Sequence, residues 1–197
     1  MKLGITGGIG SGKTTVCKVF NVLNIPVFLA DAEARKIMDS ECEIIEKIKA
    51  IAGKDIYLSG CLDRMELARL IFNNENLLKE INEVVHPVVF EHFKFWEKSA
   101  SAPYVIMEAA ILFECRASEL MDRIATVVAP VEERIERVIR RNNLTREQVL
   151  DRIKNQMEDE EKIRLSDYVI YNSEHEMIIP SILKIHEEML SLTKNSY

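Results

Sequence analysis

Three things are missing from this sequence, and each absence removes a class of protein. There is no basic surplus: 32 acidic against 26 basic residues leave a formal net charge of −6 at pH 7. An acidic chain has no excess cations with which to release counterions from duplex nucleic acid, so no nucleic-acid partner is expected. A local basic pocket for a phosphorylated ligand remains compatible with that balance. There is no cysteine pair at metal or redox spacing. Cys17, Cys42, Cys61 and Cys115 form no C-x-x-C, and none stands beside a histidine at zinc-ligand spacing. Reduced thiols in a cytoplasmic chain are the expectation. There is also no uncharged apolar stretch of membrane length, and Met1 to Thr6 runs into glycines rather than an apolar segment. Neither a membrane span nor a signal peptide is expected.

What is present is the composition of an ordinary globular chain. Of 197 residues, 47% are hydrophobic and 29% charged, enough to bury the core of one compact domain. No repeat or low-complexity linker divides it. Short apolar runs alternate with longer helix-period segments, the pattern of a parallel α/β sheet. Strands are predicted at Lys2–Thr6, Pro26–Ala30, Tyr104–Glu108, Arg123–Ala129 and Tyr168–Tyr171. Helices are predicted at Lys13–Leu23, Ala32–Met38, Glu43–Ala52, Asp63–Phe72, Glu132–Asn142, Arg146–Glu158 and Glu176–Leu192. A further helix, Glu75–Lys98, is expected to be interrupted at Pro87.

Two segments stand outside simple strand–helix alternation. Residues 40–100 read as nearly all helical, far more than a crossover needs, which suggests an inserted substrate-binding lobe. Residues 140–165 read as a charged helical hairpin opened by the cap Thr145-Arg146-Glu147-Gln148. Their nearly balanced charges fit either a solvated face or a mobile lid.

Gly7-Gly8-Ile9-Gly10-Ser11-Gly12-Lys13-Thr14 matches G-x-x-x-x-G-K-[ST], between a predicted strand and a predicted helix. Glycines let the backbone curl until successive N–H groups converge on phosphate oxygens. The helix that follows adds unpaired donors and the positive end of its dipole. Lys13 reaches β- and γ-phosphates in such a loop, and the Thr14 hydroxyl is a Mg²⁺ ligand. The loop with Thr15 therefore reads as a triphosphate site, which leaves the reaction open.

Asp31 follows the second predicted strand, and ligands in open α/β sheets bind at the carboxyl ends of strands. It is either a general base for an acceptor hydroxyl or the N-cap of the next helix. Glu108 ends the third predicted strand, as a Mg²⁺ partner through water or as a plain strand-terminal acid. Arg134, Arg137 and Arg141 repeat at i, i+3 and i+7 on one helix face. They could clamp a transferring phosphate or simply pair with Glu132, Glu133 and Glu136. His86 precedes Pro87 within a helical region, where a lone histidine is more often structural.

Taken together, these residues resemble the dephospho-coenzyme A kinase family, P-loop kinases that complete coenzyme A synthesis. Thr6 to Thr14 is similar to that family's phosphate loop, and Ala30-Asp31 with Ala34-Arg35 resembles its Asp-Ala-Asp-x-x-Ala-Arg segment. Leu62-Asp63-Arg64 and Val85-His86-Pro87 match its arginine and its Leu-His-Pro step. Glu108-Ala109-Ala110-Ile111-Leu112-Phe113-Glu114 resembles its strand followed by Pro-Leu-Leu-Phe-Glu. Arg137, Arg141, Arg152, Gln156 and Lys162 fall where its lid carries R…R…R-x-x-x-Q…K. Ser166 to Asn172 resembles its Ala-Asp-x-Val-Ile-x-Asn tail. The order and spacing of these segments run through essentially the whole chain.

The resemblance implies a three-layer P-loop fold with a parallel sheet of about five strands, a helical acceptor-binding insertion and a helical lid. The nucleotide-binding core would comprise residues 1–30, 101–135 and 166–197, the acceptor lobe 31–100 and the lid 136–165. ATP and Mg²⁺ would be used to phosphorylate the ribose 3′-hydroxyl of dephospho-coenzyme A. Asp31, Lys13 and Arg141 would be catalytic, with Asp31 as base. Gly8, Gly10, Ser11, Gly12, Lys13, Thr14, Thr15, Arg137 and Asn172 would bind nucleotide, with Asn172 near the adenine. Arg35, Arg64, His86 and Glu108 would join Asp31 around the acceptor, and Thr14 would hold the metal, with Glu108 a candidate through water. A monomer is the expectation. Three positions depart from the family pattern, one of them Glu174, which follows Asn172-Ser173 where glycine is common. Leu29 replaces the first aspartate, and strand alternation turns it into the core. Ala110 replaces a proline, loosening that turn without touching the chemistry. Shikimate or nucleoside monophosphate kinases are the rival enzymes, but they account neither for the His86-Pro87 lobe nor for the long insertion. A guanine-nucleotide switch is disfavoured by the lack of N-K-x-D and D-x-x-G motifs.

Overall fold

The computed structural model describes residues 1–71 and 74–194. In chain order the elements are β1 (Lys2–Thr6), α1 (Lys13–Val22), β2 (Val27–Leu29), α2 (Ala30–Ser40), α3 (Cys42–Ala52), β3 (Tyr57–Leu58), β4 (Cys61–Leu62), α4 (Arg64–Ile71), α5 (Glu75–Ser99), β5 (Val105–Glu108), β6 (Arg123–Val128), α6 (Val131–Asn142), α7 (Arg146–Lys154), α8 (Asp159–Arg164), β7 (Tyr168–Tyr171) and α9 (Ile178–Lys194). They form two compact units, one of Met1–Leu29 with Ser99–Tyr197 and one of Ala30–Lys98.

The first unit is built on a five-stranded sheet in the order β2-β5-β1-β6-β7, with every neighbouring pair parallel. Alternation along β1 divides its side chains between two faces. Leu3 and Ile5 are buried in one cluster with Val16, Cys17 and Phe20 of α1 and Ile182, Ile185 and Met189 of α9. Each such side chain contributes about 1.5–3 kcal/mol through lost apolar exposure. Gly4 and Thr6 point the other way. A Cβ at Gly4 would press on Leu112 at 2.8 Å and Met121 at 2.9 Å. The Thr6 hydroxyl donates to Ala110 O at 3.5 Å. Thr126 on β6 shares a 2.6 Å hydrogen bond with Ser166, just past α8. Helices α1 and α9 thus cover one face, and the segment after β5 with α8 covers the other. This is the three-layer arrangement expected.

Register sets where the loops emerge. Glu108 stands opposite Ile5 of β1 and Leu29 of β2. The carboxyl ends of these three strands are therefore level, and the glycine loop and Glu108 emerge at one edge of the sheet.

In the second unit the prediction of nearly continuous helix is corrected by the hairpin β3–β4. Its two-residue turn uses Ser59 at φ 51° and Gly60 at φ 84°, the left-handed pair that matches strand twist. Two-residue strands are too short to declare a period-two pattern, which is why no strand was read in the gap between the predicted helices Glu43–Ala52 and Asp63–Phe72. Helix α5 runs unbroken through Pro87, where an interruption was expected. Its stripe of Ile81, Val85, Val89 and Phe93 stays buried on both sides of Pro87, so packing outweighs the one backbone donor that proline removes. The predicted end of the preceding helix at Phe72 lies outside the described residues.

Three boundaries also moved. β2 stops at Leu29, and Asp31 is the second residue of α2 rather than its cap. Leu29 is 42% exposed while Phe28 is the buried residue of that strand, so Leu29 does not fill the core as expected. The helix predicted for residues 146–158 stops at Lys154, and a separate helix, α8, starts at Asp159; between them the backbone N–H of Met157 donates to Glu114 Oε1 at 2.9 Å. Among the described residues no helix is long and apolar enough to cross a membrane.

Candidate active site

The loop between β1 and α1 is held by its glycines. Gly10 and Gly12 have φ of 79° and 97°, a region that side chains with a Cβ rarely enter. The space is closed as well: a Cβ on Gly12 would collide with the Asn172 amide, and one on Gly10 with the Arg134 backbone. Thr15 N and Val16 N both donate to Gly12 O, at 2.9 and 3.2 Å, where α1 begins. Ser11 is 1% exposed, and its hydroxyl has no hydrogen-bond partner among the described residues.

Lys13 is 8% exposed. Its ammonium donates to Gly7 O at 2.9 Å and Gly8 O at 3.4 Å, so the side chain folds back over the loop. Glu108 Oε1 lies 3.9 Å from the same nitrogen, and Glu108 is 7% exposed. Two residues singled out separately from the sequence are therefore neighbours here, as an ion pair that the sequence reading did not anticipate. Thr14 and Thr15 are exposed in the first turn of α1. Behind them, Cys17 feels both charges of the pair, but burial dominates and pushes its thiol up to about 12. Since the thiolate is the reactive form, Cys17 should resist alkylation at pH 8. Exposed Cys42 and Cys61 should react quickly, and Cys17 only on unfolding. Mass mapping of native and denatured protein after iodoacetamide treatment checks this.

The three arginines of α6 share a face but not a situation. Arg134 is 3% exposed; it donates to Ile9 O at 2.9 Å and pairs with Asp159 at 2.5 Å. Arg137 donates to Asn172 O from both terminal nitrogens at 3.1 Å and pairs with Glu133 at 2.6 Å. Asn172 in turn donates to Ser11 O at 2.7 Å. Arg141 sits about 10 Å along the axis from Arg134, exposed, with its Nε on Asn142 Oδ1 at 2.8 Å. Of the three, Arg141 alone is exposed, whereas Arg134 and Arg137 brace the loop and its neighbour. The carbonyl of Ala110 accepts from Lys162 at 3.4 Å, and Lys162 is fully buried beside Glu114 at 3.4 Å. A proline at 110 would offer the same carbonyl.

In the second unit Asp31 and Arg35 lie exposed one turn apart on α2. Arg64 donates to Arg35 O at 3.2 Å and to Asp39 Oδ2 at 2.6 Å. His86 is held below the usual imidazole range by burial, and the nearby Asp31 carboxylate opposes that shift without overcoming it. Asp31, Arg35, Arg64 and His86 thus all lie in this unit. It also contains a feature that sequence reading missed. His92 bridges Glu33 at 2.9 Å and Glu41 at 3.4 Å, and the His92 hydrogen bond holds Glu33 below the usual carboxylate range. Residues this far apart carry no local signal.

A parallel sheet whose first strand feeds a lysine-bearing glycine loop, with a buried acid at the end of the adjacent strand, defines a P-loop kinase. A shikimate kinase from Bacteroides thetaiotaomicron shares the fold at 16% identity with a TM-score of 0.55, covering 96% of this chain and 98% of its own. The family model for dephospho-CoA kinase matches residues 1–177, and the chain belongs to that family. A dephospho-CoA kinase of Bacteroides fragilis is 37% identical over 94% of this chain and 91% of its own length. The dephospho-CoA kinase structure from Campylobacter jejuni covers the whole of both chains at 26% identity and a TM-score of 0.68. A crystal structure from Thermus thermophilus is 33% identical, with a TM-score of 0.82 over 98% of this chain and 97% of its own.

Proposed function

We propose that this chain transfers the γ-phosphoryl group of ATP to the ribose 3′-hydroxyl of dephospho-coenzyme A, giving coenzyme A and ADP. The observation that carries the reading is the Lys13 ammonium, folded inside the glycine loop 2.9 Å from Gly7 O, in a chain of this family. In the transfer, the acceptor oxygen forms a bond to the γ-phosphorus and the bond from that phosphorus to the β,γ-bridging oxygen breaks. The hydroxyl proton passes to Asp31, whose exposed carboxylate opens α2. Burial disfavours the charged imidazolium form of His86, the neighbour of Asp31.

The three N–H donors of Lys13 exchange the Gly7 and Gly8 carbonyls for phosphate oxygens, meeting charge that builds up on the phosphoryl group. Arg141 adds a second cation from the exposed end of α6, while Arg137 and Asn172 fix the strand end beside the loop. Arg35 and Arg64 bind the anionic groups of the acceptor. The donor set fits Mg²⁺: the Thr14 hydroxyl is exposed in the first turn of α1, and Glu108 offers a hard oxygen at the end of β5. When bound, the ion neutralises charge on the β- and γ-oxygens. We assign the reaction to the cytoplasm, where ATP is at hand.

Coupled ADP release with a panel of acceptors tests the reading. Turnover is expected with dephospho-coenzyme A and not with shikimate, AMP or water alone. Turnover with shikimate or AMP and none with dephospho-coenzyme A would replace the assignment with another kinase. Nucleotide binding with no turnover on any acceptor would make the chain a non-catalytic binder.

A further inference from the structure

Ile9, the third residue of the phosphate loop, is gripped at each of its polar groups and by its side chain. Its N–H donates to Gln156 Oε1 at 2.8 Å, a bond that spans 147 residues of sequence. Its carbonyl accepts from Arg134 Nε at 2.9 Å. Its side chain packs against the small core that α6 and α7 form from Ile135, Val138 and Val149. The gripping groups are themselves fixed. Arg134 is 3% exposed and pairs with Asp159 of α8. Met157, next to Gln156, is tied by its N–H to Glu114, which also faces the buried ammonium of Lys162. No phosphate-binding donor is consumed in this, because Gly10 to Thr14 follow Ile9 in the loop.

We propose that Gln156 is a positioning residue for phosphoryl transfer, holding Ile9 so that the following amides keep the curvature a β-phosphate requires. The grip also means that residues 156–162 are part of the nucleotide-binding unit. A loop already fixed in its binding curvature loses less freedom when phosphate arrives. Loss of the Gln156 acceptor leaves the Ile9 N–H without its partner and lets the loop tip relax. The proposal deepens the functional reading above and rests on it.

The test compares the unaltered chain with Gln156→Leu, Gln156→Glu and Asp159→Asn. Each is titrated calorimetrically with ADP and with adenosine, and KM values for ATP and dephospho-coenzyme A are measured. Gln156→Leu should weaken ADP binding and raise the KM for ATP by about tenfold. Adenosine binding and the acceptor KM should stay within about twofold. Gln156→Glu keeps an acceptor oxygen and should recover most of the loss. Asp159→Asn, which loosens Arg134, should move in the same direction by a smaller factor. Unchanged ADP affinity in Gln156→Leu overturns the proposal. So does equal impairment of the Leu and Glu variants, which would mark a packing role. ADP binding needs only the loop, so turnover of dephospho-coenzyme A by the unaltered chain bears separately on the functional reading.

Discussion

Lys13→Ala is expected to lower kcat by about three orders of magnitude or more, since single donors aimed at developing transition-state charge carry effects of that size. The structure makes the loss hard to compensate. Lys13 is 8% exposed, so water has little access to the place its ammonium leaves. Glu108, 3.9 Å from that ammonium, would then add negative charge next to the phosphates with no lysine to offset it. ATP binding should weaken as well, though less than turnover, because the loop amides remain. Quenched single-turnover measurements at saturating ATP isolate the chemical step. A rate within tenfold of the unaltered chain would show that Lys13 contributes fold rather than chemistry. Thermal melting measured alongside separates the two, since loss of an internal tether to Gly7 and Gly8 lowers stability without touching the reacting atoms.

Asp31→Asn should reduce kcat by about 10²- to 10⁴-fold, the range spanned by a positioned general base. ATP affinity should be unchanged, because Asp31 belongs to α2 and not to the glycine loop. Stability should barely move. Ala30 begins the helix, so Asp31 does not cap it, and its interaction with the helix N-terminus is worth about 0.3–1 kcal/mol. Parallel measurements of kcat, nucleotide affinity and melting temperature decide the matter. A variant with normal turnover and a clearly lower melting temperature would return Asp31 to a purely structural role.

The parts of the site legible in sequence are those whose residues lie close together along the chain. The loop from Gly7 to Thr14 announces itself because cradling a phosphate demands particular backbone angles at fixed offsets, and only glycine supplies them. The five main strands were legible because their apolar runs are short and dense, most fully in β5 where every residue is buried. The three arginines of α6 were found together on one face, yet their separate fates depend on partners elsewhere. Arg134 meets Ile9, 125 residues away, and Arg137 meets Asn172, 35 residues away. Gln156 was visible only as one residue of a family pattern, and its partner on Ile9 is a backbone group, which leaves no mark on composition. The hairpin β3–β4 was missed for a different reason. Its signal is the Ser59-Gly60 turn alone, flanked by strands of two residues that are too short to show alternation. Pro87 misled because its local rule is real, but Val85 and Val89 on either side are buried in a stripe that continues through it.

The central claim is direct transfer of the γ-phosphoryl group to one particular hydroxyl. Incubation with γ-labelled ATP and dephospho-coenzyme A, followed by isolation of the nucleotide product and location of the label by phosphorus NMR, tests it most directly. One labelled phosphate per product molecule, on the ribose 3′-oxygen, is the predicted result. Label found only in inorganic phosphate, or at any other position of the acceptor, would contradict it.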